Sequence, residues 1–358
     1  MAQSISRRGL LKTSTAMTGT AAVTGVQFPR FMRHDPAPAD AQAALLAAFG
    51  RYQVVGGMSP DHGLKDADDF VISLIRNPAL PGTVNDIAVE GGNSLYQPLL
   101  DQYIAGGNVP LSQVQQAWRN TTQPNVGYSL LYQELFPLVR RINARLPRER
   151  KLRVLACDPP IDWSKVKGPQ DLAPFMDRDA SIAAVMENEV LSKHRKALML
   201  FGWDHMLHTG GAVARYEQRY PGVTFTIVNH EGFAKDNDEL ERRMAPWPVP
   251  ALTPITGTWL GDLDSSYFGL PPGQKGYPGA DGYLYLGPRD FLMHQPISSR
   301  TVLDTAYLAA LQQRAVTIAA PAGGLAYPAA QFQRETQSSV FFYDPAPGAS
   351  AAATAASG

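Results

Sequence analysis

Five of the chain's seven histidines fall in or near turns that also carry carboxylates. They are His62, His205, His208, His230 and, in a less regular region, His294. Imidazoles converging with carboxylates can move protons or hold a metal ion. His62 stands in Pro60-Asp61-His62-Gly63 and Glu90 in Val89-Glu90-Gly91-Gly92-Asn93. Asp158 follows Cys157, Trp203-Asp204-His205 leads on to His208, and His230 precedes Glu231. A carboxylate set directly after an apolar strand, as Glu90 is, is costly to bury unless it is paired or opens onto a cleft. His205 and His208 are three apart and would share a helical face. They do not make the zinc-protease pattern, which needs histidines four apart with a glutamate after the first; Met206 follows His205. Each group also has a structural alternative: His62 as a helix cap, Asp158 as a turn former, one of the His205/His208 pair as a support for the other. Cys157, at the end of an apolar strand, reads as packing rather than as a nucleophile. There is no G-x-S-x-G elbow, no phosphate-binding P-loop and no G-x-G-x-x-G turn.

These residues need a frame, and the middle of the chain supplies one. Short apolar runs at Tyr52–Gly57, Ile87–Val89, Leu152–Ala156, Ala197–Phe201 and Val223–Val228 predict strands. Between them, helical spacing is read over 64–75, 94–104, 110–118, 127–146, 178–194 and 211–219, with further helices at 40–48 and 301–315. The alternation predicts an α/β fold: three layers, with a largely parallel sheet flanked by helices. Residues 232–300, rich in Pro and Gly, are read as an irregular C-terminal region. Ligands of open parallel sheets sit beyond the carboxyl ends of the strands, which is where the residues above fall.

Composition narrows the function classes. The 358 residues carry 32 basic and 32 acidic side chains, so the net charge is zero, which argues against a nucleic-acid partner. A single cysteine excludes an internal disulfide framework and any Cys-rich metal site. No run of apolar residues is long enough for a transmembrane segment. Ser6-Arg7-Arg8-Gly9-Leu10-Leu11-Lys12, followed by a weakly apolar Ala/Thr/Gly stretch, resembles a twin-arginine export signal. Residues 1–42 are therefore expected to be a leader read by the twin-arginine translocase, 43–342 a single α/β domain, and 343–358 a disordered Ala/Gly/Ser tail. The expected location is periplasmic or secreted.

The order of motifs is similar to that of the erythromycin esterase/ChaN-like superfamily, which takes in the TraB and Tiki proteins. The residues that carry the resemblance are His62-Gly63, Ile87-Ala88-Val89-Glu90, and Gln97…Leu100-Asp101…Tyr103-Ile104…Gly106. They continue with Asp158, Arg178…Met186 and Leu200-Phe201-Gly202-Trp203-Asp204-His205. The resemblance spans roughly residues 50–230. The acid that this group places three residues before its first histidine is Ser59 here, with Asp61 beside His62 instead. The resemblance implies His62, Glu90, His205 and Arg178 as catalytic residues and Asp61, Asp158, Trp203 and His208 as binding residues. It implies a hydrolase acting on a small-molecule substrate. His62 would be the base on a water, Glu90 would orient it or share its proton, and His205 with Arg178 would stabilise the oxyanion. A divalent metal could replace part of this. The alternative reading is a haem- or iron-binding protein, with His205 or His208 as axial ligand and Trp203, Met206, Tyr96 and Tyr103 lining the slot.

Overall fold

The computed structural model describes residues 38–58, 64–123, 130–230, 238–294, 301, 303–319 and 344–345. Eight strands form one mixed sheet. They are β1 (Ala39–Asp40), β2 (Val54–Gly56), β3 (Asp86–Asn93), β4 (Arg153–Asp158), β5 (Ala197–Leu200), β6 (Thr224–Asn229), β7 (Ala251–Pro254) and β8 (Gly282–Tyr285). Their spatial order is β1-β7-β8-β6-β2-β5-β3-β4. The run from β8 to β4 is parallel throughout, while β7 and β1 add antiparallel at one edge. Met293–His294 and Asp344–Pro345 form a separate two-stranded pair.

Alternation along the strands explains the layers. Val55, Ile87, Val89, Val154, Ala156, Leu198 and Leu200 pack into a core on one face of the sheet. Their neighbours Val54, Ala88, Leu155, Cys157, Ala197 and Met199 pack into a second core on the other. Apolar side chains on both sides are what a parallel sheet covered by helices requires. The first face is covered by α1 (Ala41–Ala48), α2 (Lys65–Arg76), α3 (Gln97–Ile104) and α4 (Leu130–Asn143). On α2, the stripe Ala67, Phe70, Val71, Leu74 and Ile75 is buried while Asp69, Ser73 and Arg76 face outward, the pattern of an amphipathic helix. The second face is covered by α5 (Arg178–Glu189) and α7 (Gly211–Tyr216), with the single turn α6 (Trp203–Met206) between them in sequence. No helix among the described residues is long and apolar enough to cross a membrane.

The five predicted strands are β2 to β6, with ends displaced by up to two residues except at β3, which runs four residues past Val89. The Pro/Gly-rich stretch departs from its irregular reading, since it contains β7 and β8. Both are only four residues long and Gly282 opens β8, so neither presents an apolar run that could be read in isolation. They gain their stability as a pair on the edge of a preformed sheet. Ala39 and Asp40, inside the expected leader, pair with Leu252 and Ala251, and the Asp40 carboxylate caps α1 by accepting from the amide of Ala43.

The β3–β4 pairing contains the irregularity that matters most. Val89 is opposite Ala156, but the next pair is Asn93 with Asp158. The extra residues lie at Glu90-Gly91-Gly92, and such bulges re-aim a side chain at a sheet edge. A side chain at position 92 would put its Cβ 2.7 Å from the Ala156 Cα, so this close approach of two backbones admits only glycine.

Candidate functional site

The parallel strands end at one edge of the sheet, and four of the residues singled out by sequence meet there. Glu90 comes from the β3 bulge, Asp158 from the end of β4, His205 from α6 after β5, and Arg178 from the first turn of α5. Asp177 caps α5 by accepting from the amide of Ala180, which fixes the register at which Arg178 and Asp179 leave the helix.

Arg178 is the hub. Its Nε donates to Asp158 Oδ1 at 2.9 Å and its Nη2 to Glu90 Oε1 at 3.1 Å. Its Nη1 lies 2.8 Å from His205 Nε2. Asp158 also accepts from the amide of Thr122 at 2.5 Å and from its hydroxyl at 2.7 Å. All three of these contacts to Asp158 come from donors, the pattern of an ionised carboxylate. Burial nevertheless pushes its pKa up, against the pull of Arg178 and Thr122. Glu90 Oε2 accepts from the amide of Gly202 at 2.9 Å. Burial works against the charge of Arg178, but Glu90 and Asp158 outweigh it and raise the guanidinium pKa further.

His205 is held at both nitrogens. Nδ1 is 2.7 Å from Asp179 Oδ1, and Nε2 lies between Arg178 Nη1 and Glu90 Oε1, the latter 3.6 Å away. Arg178 can donate to Nε2 only when the ring is neutral. Once protonated, Nε2–H must turn to Glu90 and Nη1 loses its acceptor. Burial opposes a charge on this ring, but the hydrogen bond and negative charge of Glu90 outweigh it, lifting the pKa to about 9.

Sequence reasoning missed Asp179, Thr122 and the Gly202 amide. The Asp177-Arg178-Asp179 triplet at a helix start was the one legible sign of Asp179. Thr122 is brought in from far along the chain by a loop tied down elsewhere. Asn93 donates to the carbonyls of Asn120 and Ile161, and the Trp163 indole donates to those of Asn120 and Thr121.

The other described residues singled out by sequence lie apart from this cluster. Asp61, His62 and Glu231 are outside the described residues. His208 bridges two carboxylates, with Nδ1 2.7 Å from Glu217 and Nε2 2.8 Å from Asp281. Those hydrogen bonds raise its pKa to about 10 against a smaller effect of burial. Both nitrogens are thereby taken up in a tie between α7 and the sheet. His230 is buried between Tyr283 and Glu241. Cys157 is fully buried, and burial pushes its thiol pKa well up, as expected for packing. The four side chains expected to line a haem slot do not share one. Tyr96 and Tyr103 pack with the first core, Met206 with the second, and Trp203 with a third around β7 and β8. Trp203 lines a cavity of about 30 Å³ with Asn229, Tyr267, Phe268 and Tyr277, room for a water or two. Among the described residues no group of three or more His, Cys, Asp or Glu side chains is placed to hold a metal ion. At the sheet edge, Arg178 stands between the two carboxylates that would have to bind one.

The His208 bridge makes a prediction about stability. Its folded pKa is raised above the ordinary value of about 6.5, so its contribution is complete below pH 6.5 and is lost as the pH rises through about 10. The urea midpoint should therefore fall between pH 7 and 10, and His208→Ala should flatten that fall while lowering the midpoint at pH 7. Parallel pH profiles for the two proteins would remove the bridge from the account.

No family model matches the chain, and no curated protein matches it. Two solved structures are similar. One is a structural-genomics target from Bacillus cereus, 10% identical, covering 70% of this chain and 93% of that one with a TM-score of 0.46. The other is ChaN of Campylobacter jejuni, whose structure is described as cofacial heme binding. It is 13% identical, covering 54% of this chain and 87% of that one with a TM-score of 0.34.

Proposed function

We propose that the carboxyl edge of the sheet is the active site of an exported hydrolase of the erythromycin esterase/ChaN-like type, acting on a small-molecule substrate. The observation that carries this is the coupling of Arg178 to His205. A guanidinium donor in a buried network lies against an imidazole that can no longer accept from it on taking up a proton. At neutral pH the raised pKa favours the protonated ring. Arg178 Nη1 then donates to the oxygen of a substrate carbonyl as it becomes an oxyanion, and the imidazolium adds its charge. Glu90 and Asp158 are positioning residues, for their oxygens already accept from Gly202, Thr122 and Arg178. Asp179 holds the His205 ring in register. The base that activates water is assigned to His62, on the motif alone. No step is routed through a metal or haem, because the described donors do not form a set for either.

The test uses purified full-length protein and p-nitrophenyl esters of short acids as probes, with an absorbance spectrum and a metal assay on the same sample. Ester turnover above background that falls with Arg178→Lys supports the hydrolase. A Soret band with no turnover would favour the haem-binding alternative.

Export is the second part of the proposal. Replacing Arg7 and Arg8 by Lys should leave the protein in the cytoplasm with its leader attached, because the translocase reads the pair. Cleavage on the N-terminal side of Ala39 would keep β1 and the Asp40 cap with the mature chain. Fractionation that finds the double-Lys variant outside the cytoplasm would refute the route.

A further inference from the structure

At the opposite edge of the sheet from Glu90 and His205, where β3 and β4 begin, the surface holds a groove of about 440 Å³. That is within the ~300–1,000 Å³ usual for small-molecule sites. Its floor is apolar: Ile75 and Pro81 are buried, Leu138 lies on α4, and Ile142 and Leu146 are half-buried. Its rim is four exposed arginines, Arg76, Arg141, Arg145 and Arg150. Leu138 and Ile142 are four apart on α4 and so share one face of it, with Arg141 on the same helix and Arg145 in the turn that follows.

The arginines stand out by their lack of partners. Elsewhere on this edge Arg153 pairs with Asp101 and Glu189, and Arg195 with Asp86. Among the described residues the four rim guanidiniums have no carboxylate partner and no hydrogen bond. The segment from Arg140 to Lys151 carries six basic residues and one acid, Glu149, within a chain of zero net charge. The overall balance conceals this local excess.

We infer that the groove binds an amphipathic anion: a hydrocarbon chain laid on the Leu138/Ile142 row, with a carboxylate or phosphate head held by the arginines. Arginine forks match such oxyanions two bonds at a time. An inorganic anion would have no use for the apolar floor. A nucleic acid would need stacking aromatics, and no aromatic residue lines the groove.

The experiment is calorimetric titration of the full-length protein with decanoate below its micelle concentration, beside decanol, inorganic phosphate, duplex DNA, and vesicles with and without anionic lipid. Decanoate should bind one to one and at least about tenfold tighter than decanol, and more weakly as salt is raised. The double variant Arg141→Ala/Arg145→Ala should lose about tenfold or more in affinity, and its exposed positions should leave the melting temperature unchanged. Leu146→Glu, which puts an acid into the groove, should lose at least as much and gives a second reading if the double variant does not fold. Equal binding of decanol, equal binding of phosphate or DNA, an unaffected double variant, or binding confined to anionic vesicles would each overturn the inference.

Discussion

Arg178→Met should lower the free energy of unfolding by ~3–5 kcal/mol, the usual cost of removing one partner from a buried ion pair. The substitution keeps most of the apolar stem but strands two carboxylates. The side chains of Glu90 and Asp158 are 2% and 0% exposed, and both are bound to this one guanidinium. Gly202 and Thr122 would still donate to them and the His205 imidazolium would still face Glu90, but Asp158 would lose the guanidinium that is its ion-pair partner. Urea unfolding of the single and combined variants checks the cause. Combining Arg178→Met with Glu90→Gln and Asp158→Asn should recover a large part of the loss, because neutral amides do not need the counter-charge. A loss below ~1 kcal/mol for the single change would show that the cluster is open to water and that Arg178 is not its keystone.

Ester turnover should fall as the pH passes about 9. The proposed role of His205 needs the charged ring, and Glu90 lifts its pKa to about 9 against the opposing effect of burial. The protonated form therefore dominates below that value, and the loss comes on the alkaline side. His205→Gln should lower kcat/KM by ~100-fold or more, in the range seen when an oxyanion donor is removed, and should abolish the alkaline limb. His62→Ala should lose at least ~100-fold as the removal of a general base. His208→Ala should lose far less once folding is checked, since His208 sits in a separate bridge to Glu217 and Asp281. A rate that rises through pH 9 would instead require the neutral ring and would make His205 the base.

The sequence by itself determined the frame and singled out four residues that meet in one cluster at the sheet edge. Apolar runs of three to six residues separated by helical periodicity are a local signal, because strand and helix repeats differ and a doubly covered strand must be apolar on both sides. That signal located β2 to β6, and the rule that ligands meet strand carboxyl ends placed Glu90, Asp158 and His205 at one edge. Gly91-Gly92 after Glu90 was visible as residues, but the bulge they permit is a property of the β3–β4 pairing. What only the tertiary structure decided is who holds whom. Arg178 and Asp158 are twenty residues apart, Arg178 and Glu90 eighty-eight, and Thr122 reaches Asp158 across thirty-six. Nothing in the local pattern specifies such pairs. His205 and His208 looked alike in sequence, yet a single turn at α6 sends one toward Glu90 and Arg178 and the other toward Glu217 and Asp281. The short strands β7 and β8 escaped for the same reason: their order comes from the sheet edge that receives them, and not from their own residues.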